Sequence, residues 1–413
     1  MDLFALLDQT VERNASDLHL KAGRPPLFRI SGELLPDKKH EKLTEAEIRE
    51  AVFGLTNEQV VNRFLTELEA DIAYDYESRA RFRINIFFQR GKVGAVLRRI
   101  PLQIPALEEL GLPMVLKEIA LRKQGWILVA GPTGSGKSTS MSSMVEYINQ
   151  NRSCHVVTIE DPIEFIYTDK KATINQRQIG ADTLDFSEAL RRVLRQDPDV
   201  ILMGEMRDAK SMETAMHAAE TGHLVFSTIH TQDSKQTLDR VLDSFPPDQS
   251  HQIRQLFAQT LVSIIAQKLL RRKDDARLVV ATEVLINTPH VGQLLAEGKI
   301  GEIEKALQRG TEYYQMQSFN QDLARLVAEG AVTAEEALSH SPNPGDLKLM
   351  LRGLGSGSSN IRNVTKQEEK PRKPSSAGAK KGGGDGPPAG RPGAPRAAAK
   401  KEGKLSEEKG FDL

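Results

Sequence analysis

The first eight of nine consecutive residues, Gly131-Pro132-Thr133-Gly134-Ser135-Gly136-Lys137-Ser138-Thr139, fit the spacing G-x-x-x-x-G-K-[ST], and each fixed position answers a need of phosphate chemistry. Glycines let successive backbone N–H groups curl around an anion, and a helix opening directly after the loop turns its positive end toward the same charge. Lys137 supplies a cation to β- and γ-phosphates, and the Ser138 hydroxyl is placed to ligate Mg²⁺. The segment predicts a nucleoside triphosphatase. Hydrolysis also needs a group that activates water, an acid near the metal and a group that senses the γ-phosphate. Glu160 and Glu164, in Ile159-Glu160-Asp161-Pro162-Ile163-Glu164, compete for the first role. Val200-Ile201-Leu202-Met203-Gly204-Glu205 reads as a Walker B strand with Gly204 in place of the usual aspartate, which leaves Glu205 as the acid, acting on Mg²⁺ through water. His230, after Phe226-Ser227-Thr228-Ile229, suits donation to a phosphate oxygen.

These side chains need a scaffold that brings them to one place. Apolar runs at 126–130, 155–159, 200–203 and 224–229 alternate with segments of helical pattern, the signature of a parallel sheet covered on both faces. Open sheets of this kind bind ligands at the carboxyl ends of their strands, where all the candidates lie. The spacer 186–195 buries Phe186, Leu190, Val193 and Leu194, and the spacer 209–221 buries Met212, Ala215, Met216 and Ala219 before stopping at Gly222. Residues 250–352 read as mostly helical, with one possible strand at 278–285.

Residues 1–100 read as a separate α+β domain. Leu3, Leu6, Leu7 and Val11 have helical spacing, a hairpin follows around Ser31-Gly32-Glu33, and Thr44 with Glu47 forms a capping box ahead of a helix to Phe53. Alternating segments then predict an antiparallel sheet with arginines, Arg83 and Arg98 among them, on one face, where solvation is the ordinary fate of such charges. Pro101-Leu102-Gln103-Ile104-Pro105 opens a stiff linker, taken as 101–110, before the P-loop domain at 111–352. Residues 353–413, with Gly382-Gly383-Gly384, Pro387-Pro388 and scattered lysines, bury too little apolar surface to order a backbone and are expected to form a disordered basic tail.

A chain of 413 residues with 39% hydrophobic content supports two or three domains. No apolar run spans a bilayer and no basic-then-apolar leader opens the chain, so a cytoplasmic location is expected. Cys154 is the single cysteine, which excludes an intrachain disulfide and a cysteine-based zinc site. Net charge is zero, yet the tail from Ser356 carries thirteen Lys/Arg against seven Asp/Glu. The body is therefore acidic, which argues against a nucleic-acid-binding core and a DNA-translocating motor, and no nucleic-acid partner is expected.

The P-loop, the box Thr158-Ile159-Glu160-Asp161-Pro162-Ile163-Glu164-Phe165, the strand Ile201-Leu202-Met203-Gly204-Glu205-Met206-Arg207-Asp208, the box Gly222-His223-Leu224-Val225-Phe226-Ser227-Thr228-Ile229-His230-Thr231 and the opening Ala15-Ser16-Asp17-Leu18-His19-Leu20 together resemble the type II/IV secretion ATPases. The order of the boxes is most similar to that of the twitching-motility retraction ATPases of type IV pili, since the chain starts almost at the opening motif and lacks the four-cysteine zinc element of pilus-assembly ATPases. The resemblance implies an α/β fold, with an N-terminal PAS-like α+β domain and a RecA-like P-loop ATPase domain. It implies ATP with Mg²⁺ as cofactors, a homohexameric ring, a platform protein of the inner membrane as partner, and a cytoplasmic, membrane-peripheral position at the pilus base. Arg83 and Arg98 match the family's phosphate-reaching arginines; Glu164 is taken as the general base from its own position, just beyond the end of an apolar strand. Where the principal retraction motor carries Ala-Ile-Arg-Asn-Leu-Ile-Arg-Glu, this chain has Pro289-His290-Val291-Gly292-Gln293-Leu294-Leu295-Ala296-Glu297, closer to the accessory retraction paralogue, so a paralogous motor enters as a possible further partner.

Overall fold

The computed structural model describes residues 1–30, 32–76, 79–100, 103–274 and 277–355. Within the first hundred, six strands form one sheet: β1 (Asp17–Lys21), β2 (Leu27–Ile30), β3 (Glu33–Pro36), β4 (Glu69–Tyr76), β5 (Ala80–Gln89) and β6 (Lys92–Ile100). Their spatial order is β3-β2-β1-β6-β5-β4, antiparallel throughout. The helix Leu3–Glu12 buries Leu3, Leu6 and Leu7, the stripe its spacing predicts. The helix Glu45–Phe53 opens on the expected reciprocal cap, in which Thr44 Oγ1 accepts the Glu47 N–H and the Glu47 carboxylate accepts the Thr44 N–H. A third helix, Glu58–Glu67, is absent from the sequence reading because Phe64 is its one fully buried side chain, too thin a stripe to recognise. Along β5 the buried Ala80, Phe82, Ile84 and Ile86 alternate with Arg81, Arg83 and Asn85, so period two sends the arginines to the outer face.

The second sheet holds β7 (Gly125–Ala130), β8 (His155–Glu160), β9 (Thr173–Gln178), β10 (Val200–Met203), β11 (Leu224–Ile229), β12 (Leu261–Arg271) and β13 (Leu278–Ile286). They lie in the order β13-β12-β7-β11-β10-β8-β9, parallel except for β13, which runs antiparallel to β12. Alternation puts Trp126, Leu128, Val157, Ile201 and Val225 into one core and Ile127, Val129, Val156, Leu202 and Phe226 into the other. The helices Val115–Ala120 and Lys137–Asn151 cover the second of these faces, and Phe186–Val193, Ala209–Glu220, Ser234–Leu242 and Ser250–Thr260 cover the first. Both sheets belong to one compact unit of the chain.

Residues 250–352 are mostly helical as read, and the strand read at 278–285 is β13, but a further strand, β12, lies near the start of the stretch. The helix Ser250–Thr260 passes straight into β12 with no Gly or Pro between, and Leu261-Val262-Ser263-Ile264-Ile265-Ala266 is apolar in nearly every position, which fits a buried helix and a buried strand equally. Pairing with β7 decides for the strand. The strand β9 also escapes sequence reading, since Thr173-Ile174-Asn175-Gln176-Arg177-Gln178 contains one apolar residue. At the other end, the helix Pro344–Gly355 continues through positions that composition gave to the tail. The rest of that tail and Pro101-Leu102 of the linker lie outside the described residues. Among the described residues no helix is long and apolar enough to cross a membrane.

Candidate functional site

Parallel pairing aligns the ends that matter. Ala130 of β7 stands opposite Ile229 of β11, Ser227 of β11 opposite Met203 of β10, and Met203 opposite Ile159 of β8. The P-loop, His230, Glu205 and the segment bearing Glu160 and Glu164 therefore leave one edge of the sheet from neighbouring strands. The Trp126 indole N–H donates to Ser227 Oγ at 2.8 Å inside the core, tying β7 to β11. Thr228 Oγ1 donates to the Gly204 carbonyl, while the Gly204 N–H donates to the Ile159 carbonyl at 2.8 Å. Gly204 thus knits three strand ends together, where a Walker B aspartate would direct a side chain.

The P-loop runs from Gly131 to the helix Lys137–Asn151, with Gly131, Gly134 and Gly136 at φ of +150°, +79° and +86°. At Gly131 a Cβ would sit 2.4 Å from Ser135 Oγ and 2.6 Å from the Gln267 carbonyl, so glycine is required there by space as well as by backbone angle. The Lys137 ammonium folds back to donate to the carbonyls of Gly131 and Pro132, both at 2.9 Å. Burial pulls the Lys137 pKa below its ordinary value, and the Glu205 and Glu164 carboxylates oppose that fall. These two acids and the lysine are accordingly within electrostatic reach of one another. The Ser135 hydroxyl is buried with no hydrogen-bond partner. An orphaned donor, a curled glycine backbone and a lysine held ready make a cradle that fits a polyphosphate.

Glu205 sits at the centre of the remaining polar groups. Arg207 donates to Glu205 Oε2 at 2.7 Å, and His230 Nε2 lies 3.3 Å from Glu205 Oε1. The Arg207 hydrogen bond holds the Glu205 carboxyl below the usual carboxylate range, so it stands ionised beside the cradle. The two competitors for water activation have opposite environments. Glu160 is buried, burial pushes its carboxyl up, and it accepts from Thr158 Oγ1 at 2.6 Å and Gln176 Nε2 at 3.3 Å. Glu164 is exposed on the segment between β8 and β9. Only Glu164 has both access to water and a field from Lys137.

Arg83 and Arg98 belong to the first sheet, not to the one that carries the P-loop. They stand directly opposite each other on β5 and β6, an arrangement that costs stability unless acids intervene. Acids do intervene: Arg98 Nε donates to Asp17 Oδ1 at 2.8 Å, and Arg83 Nε lies 3.6 Å from Asp71 Oδ1. Among the supporting residues that sequence reading missed is Gln267 on β12, whose side-chain N–H donates to the Ser135 carbonyl at 2.7 Å and braces the loop from behind. Its signal was hidden because its strand was.

The family model for type II/IV secretion system proteins matches residues 3–364. The chain belongs to the type II/IV secretion system protein family. This secretion-family chain is 41% identical over 348 residues to the type IV pilus retraction ATPase PilT of Pseudomonas aeruginosa, covering 83% of this chain and 99% of that one. It is also 41% identical over 358 residues to the type IV pilus ATPase PilU of the same organism, covering 87% and 93%. Among solved structures it is similar to the pilus retraction motor PilT with bound ADP, at 41% identity and a TM-score of 0.80, covering 84% and 99%.

Proposed function

We propose that this secretion-family protein is an ATP-hydrolysing motor that works as a homohexameric ring and powers retraction of type IV pili, and with it twitching motility. The observation that carries the reading is the meeting of Lys137, Glu205, His230 and Glu164 at one sheet edge in a chain that spans nearly the whole of a retraction ATPase. In this reading residues 131–139 hold the ATP phosphates, Lys137 and His230 face the transferred group, and Glu164 takes the proton of the attacking water. Mg²⁺ would be held by Ser138 and, through water, by Glu205, and would draw off negative charge as the phosphoryl group departs. The first sheet is then a PAS-like domain ending near residue 100, and a linker to 110 leads to the RecA-like domain at 111–352. The ring stands on the cytoplasmic side of the inner membrane against a platform protein. Equal identity to PilT and PilU supports a second reading, an accessory motor that depends on a paralogue. ATPase activity of the purified protein and surface motility of a deletion strain test both: hydrolysis without any motility defect defeats the pilus assignment.

The opposed arginines acquire a purpose in this scheme. Closure of an N-terminal domain onto a P-loop domain would bring Arg83 and Arg98 to the γ-phosphate, with the linker as hinge. Arginine fingers contribute roughly 10³–10⁵ in rate in other phosphoryl-transfer proteins, through a planar fork that stays charged. Arg83→Ala and Arg98→Ala are expected to leave ATP affinity within about tenfold, ~1.4 kcal/mol, while cutting turnover much further. Normal hydrolysis and motility in both variants would reduce these arginines to a solvated sheet face.

A further inference from the structure

The segment that carries Glu164 belongs to no helix and no strand, yet it alternates like a strand: Ile163, Phe165 and Tyr167 are buried, and Glu164 is exposed between them. Its backbone must find partners outside the sheet ladder. Two glutamines of β9, Gln176 and Gln178, stand two residues apart on one face and supply them. Gln176 Nε2 donates to the Phe165 carbonyl at 2.7 Å, and Gln176 Oε1 accepts the Tyr167 N–H at 3.0 Å. Gln178 Oε1 accepts the Ile163 N–H at 3.4 Å. A primary amide sets an NH2 donor and a carbonyl acceptor side by side in a plane, so Gln176 engages residues 165 and 167 as a peptide group of an adjacent strand would and keeps a second N–H to spare.

The same amide reaches inward, where Gln176 Nε2 also donates to Glu160 Oε1 at 3.3 Å. Glu160 Oε2 in turn accepts the Glu164 N–H at 3.5 Å, and Thr158 Oγ1 fixes the other carboxyl oxygen. Downstream, buried Asn149 on the P-loop helix donates to the Thr168 carbonyl at 2.8 Å and accepts the Lys170 N–H at 3.0 Å. Glu164 therefore projects from a segment pinned to the P-loop helix at one end and to β9 along its length.

We propose that Gln176 is a positioning residue for catalysis, holding the backbone around Glu164 so that its carboxylate meets the attacking water, with Glu160 as the buried anchor of that amide rather than a rival base. This inference rests on the reading of Glu164 as the base. Misplacing a catalytic group by about 1 Å costs on the order of 10²-fold, whereas nucleotide binding through the P-loop does not pass through β9.

The test is steady-state ATP hydrolysis by the full-length protein across pH. Gln176→Leu keeps the bulk and removes the amide; kcat is expected to fall about 10- to 100-fold, with KM for ATP changed less than about threefold. In a Glu164→Gln background the same substitution should cost little more, because a group that acts only through Glu164 has nothing left to position. Gln176→Glu supplies a second variant should the leucine chain fail to fold. Its carboxylate accepts the Tyr167 N–H but faces the Glu160 carboxyl and has no hydrogen for the Phe165 carbonyl until it is protonated, so its kcat relative to the parent should recover as pH falls and the pair takes up a proton. A Gln176→Leu enzyme with parental kcat, a loss that adds fully to that of Glu164→Gln, or a Gln176→Glu ratio flat with pH would overturn the positioning role. Full turnover by Glu164→Gln alone would instead remove the base assignment and this inference with it.

Discussion

Lys137→Ala is expected to lower ATP turnover by about 10²–10³-fold or more, the scale seen when one preorganised group is removed from a developing charge. The reason lies in how the ammonium is kept. It is buried, it donates to the Gly131 and Pro132 carbonyls, and the Glu205 and Glu164 carboxylates offset part of the cost of its burial. A lysine stored this way needs to move only from the loop's carbonyls to the phosphate, and the field it meets there is weakly screened. Substitution also removes a desolvated cation, which offsets the loss of two hydrogen bonds, so the thermal midpoint without nucleotide should change little. Hydrolysis within a few-fold of the parent would contradict the P-loop assignment.

Glu164→Gln should retain nucleotide binding and lose about 10²–10⁴-fold in kcat, the range general-base catalysis contributes. The amide preserves shape and the backbone contacts of the segment, but it cannot take the proton of water. Glu160→Gln is the informative counterpart. Burial already favours the protonated form of Glu160, and a glutamine there can still accept from Thr158 Oγ1 and Gln176 Nε2. Its turnover should stay within about tenfold of the parent, the worth of roughly one such hydrogen bond. Parental turnover in Glu164→Gln together with a collapse in Glu160→Gln would exchange the two roles.

What was legible in the amino-acid sequence was local. The P-loop declares itself because its function is performed by its own backbone: glycines at fixed spacing set the curl, and a lysine and a serine follow at the helix start. The capping box at Thr44 and Glu47 was legible for the same reason, since both partners lie within one turn. The parallel sheet could be expected from apolar runs separated by helical patterns, and the sheet edge then collected Glu205, His230 and Glu164 without any pairing being known. Relations between distant residues required the fold. Nothing local marks β12 as a strand, so Gln267 behind the P-loop was invisible until β7 paired with it. Nothing local separates Glu160 from Glu164 either. Four positions apart on the chain, they differ because one points into a core closed by Thr158 and Gln176 while the other is left in water, and burial is a property of the assembled chain, which no stretch of sequence possesses by itself.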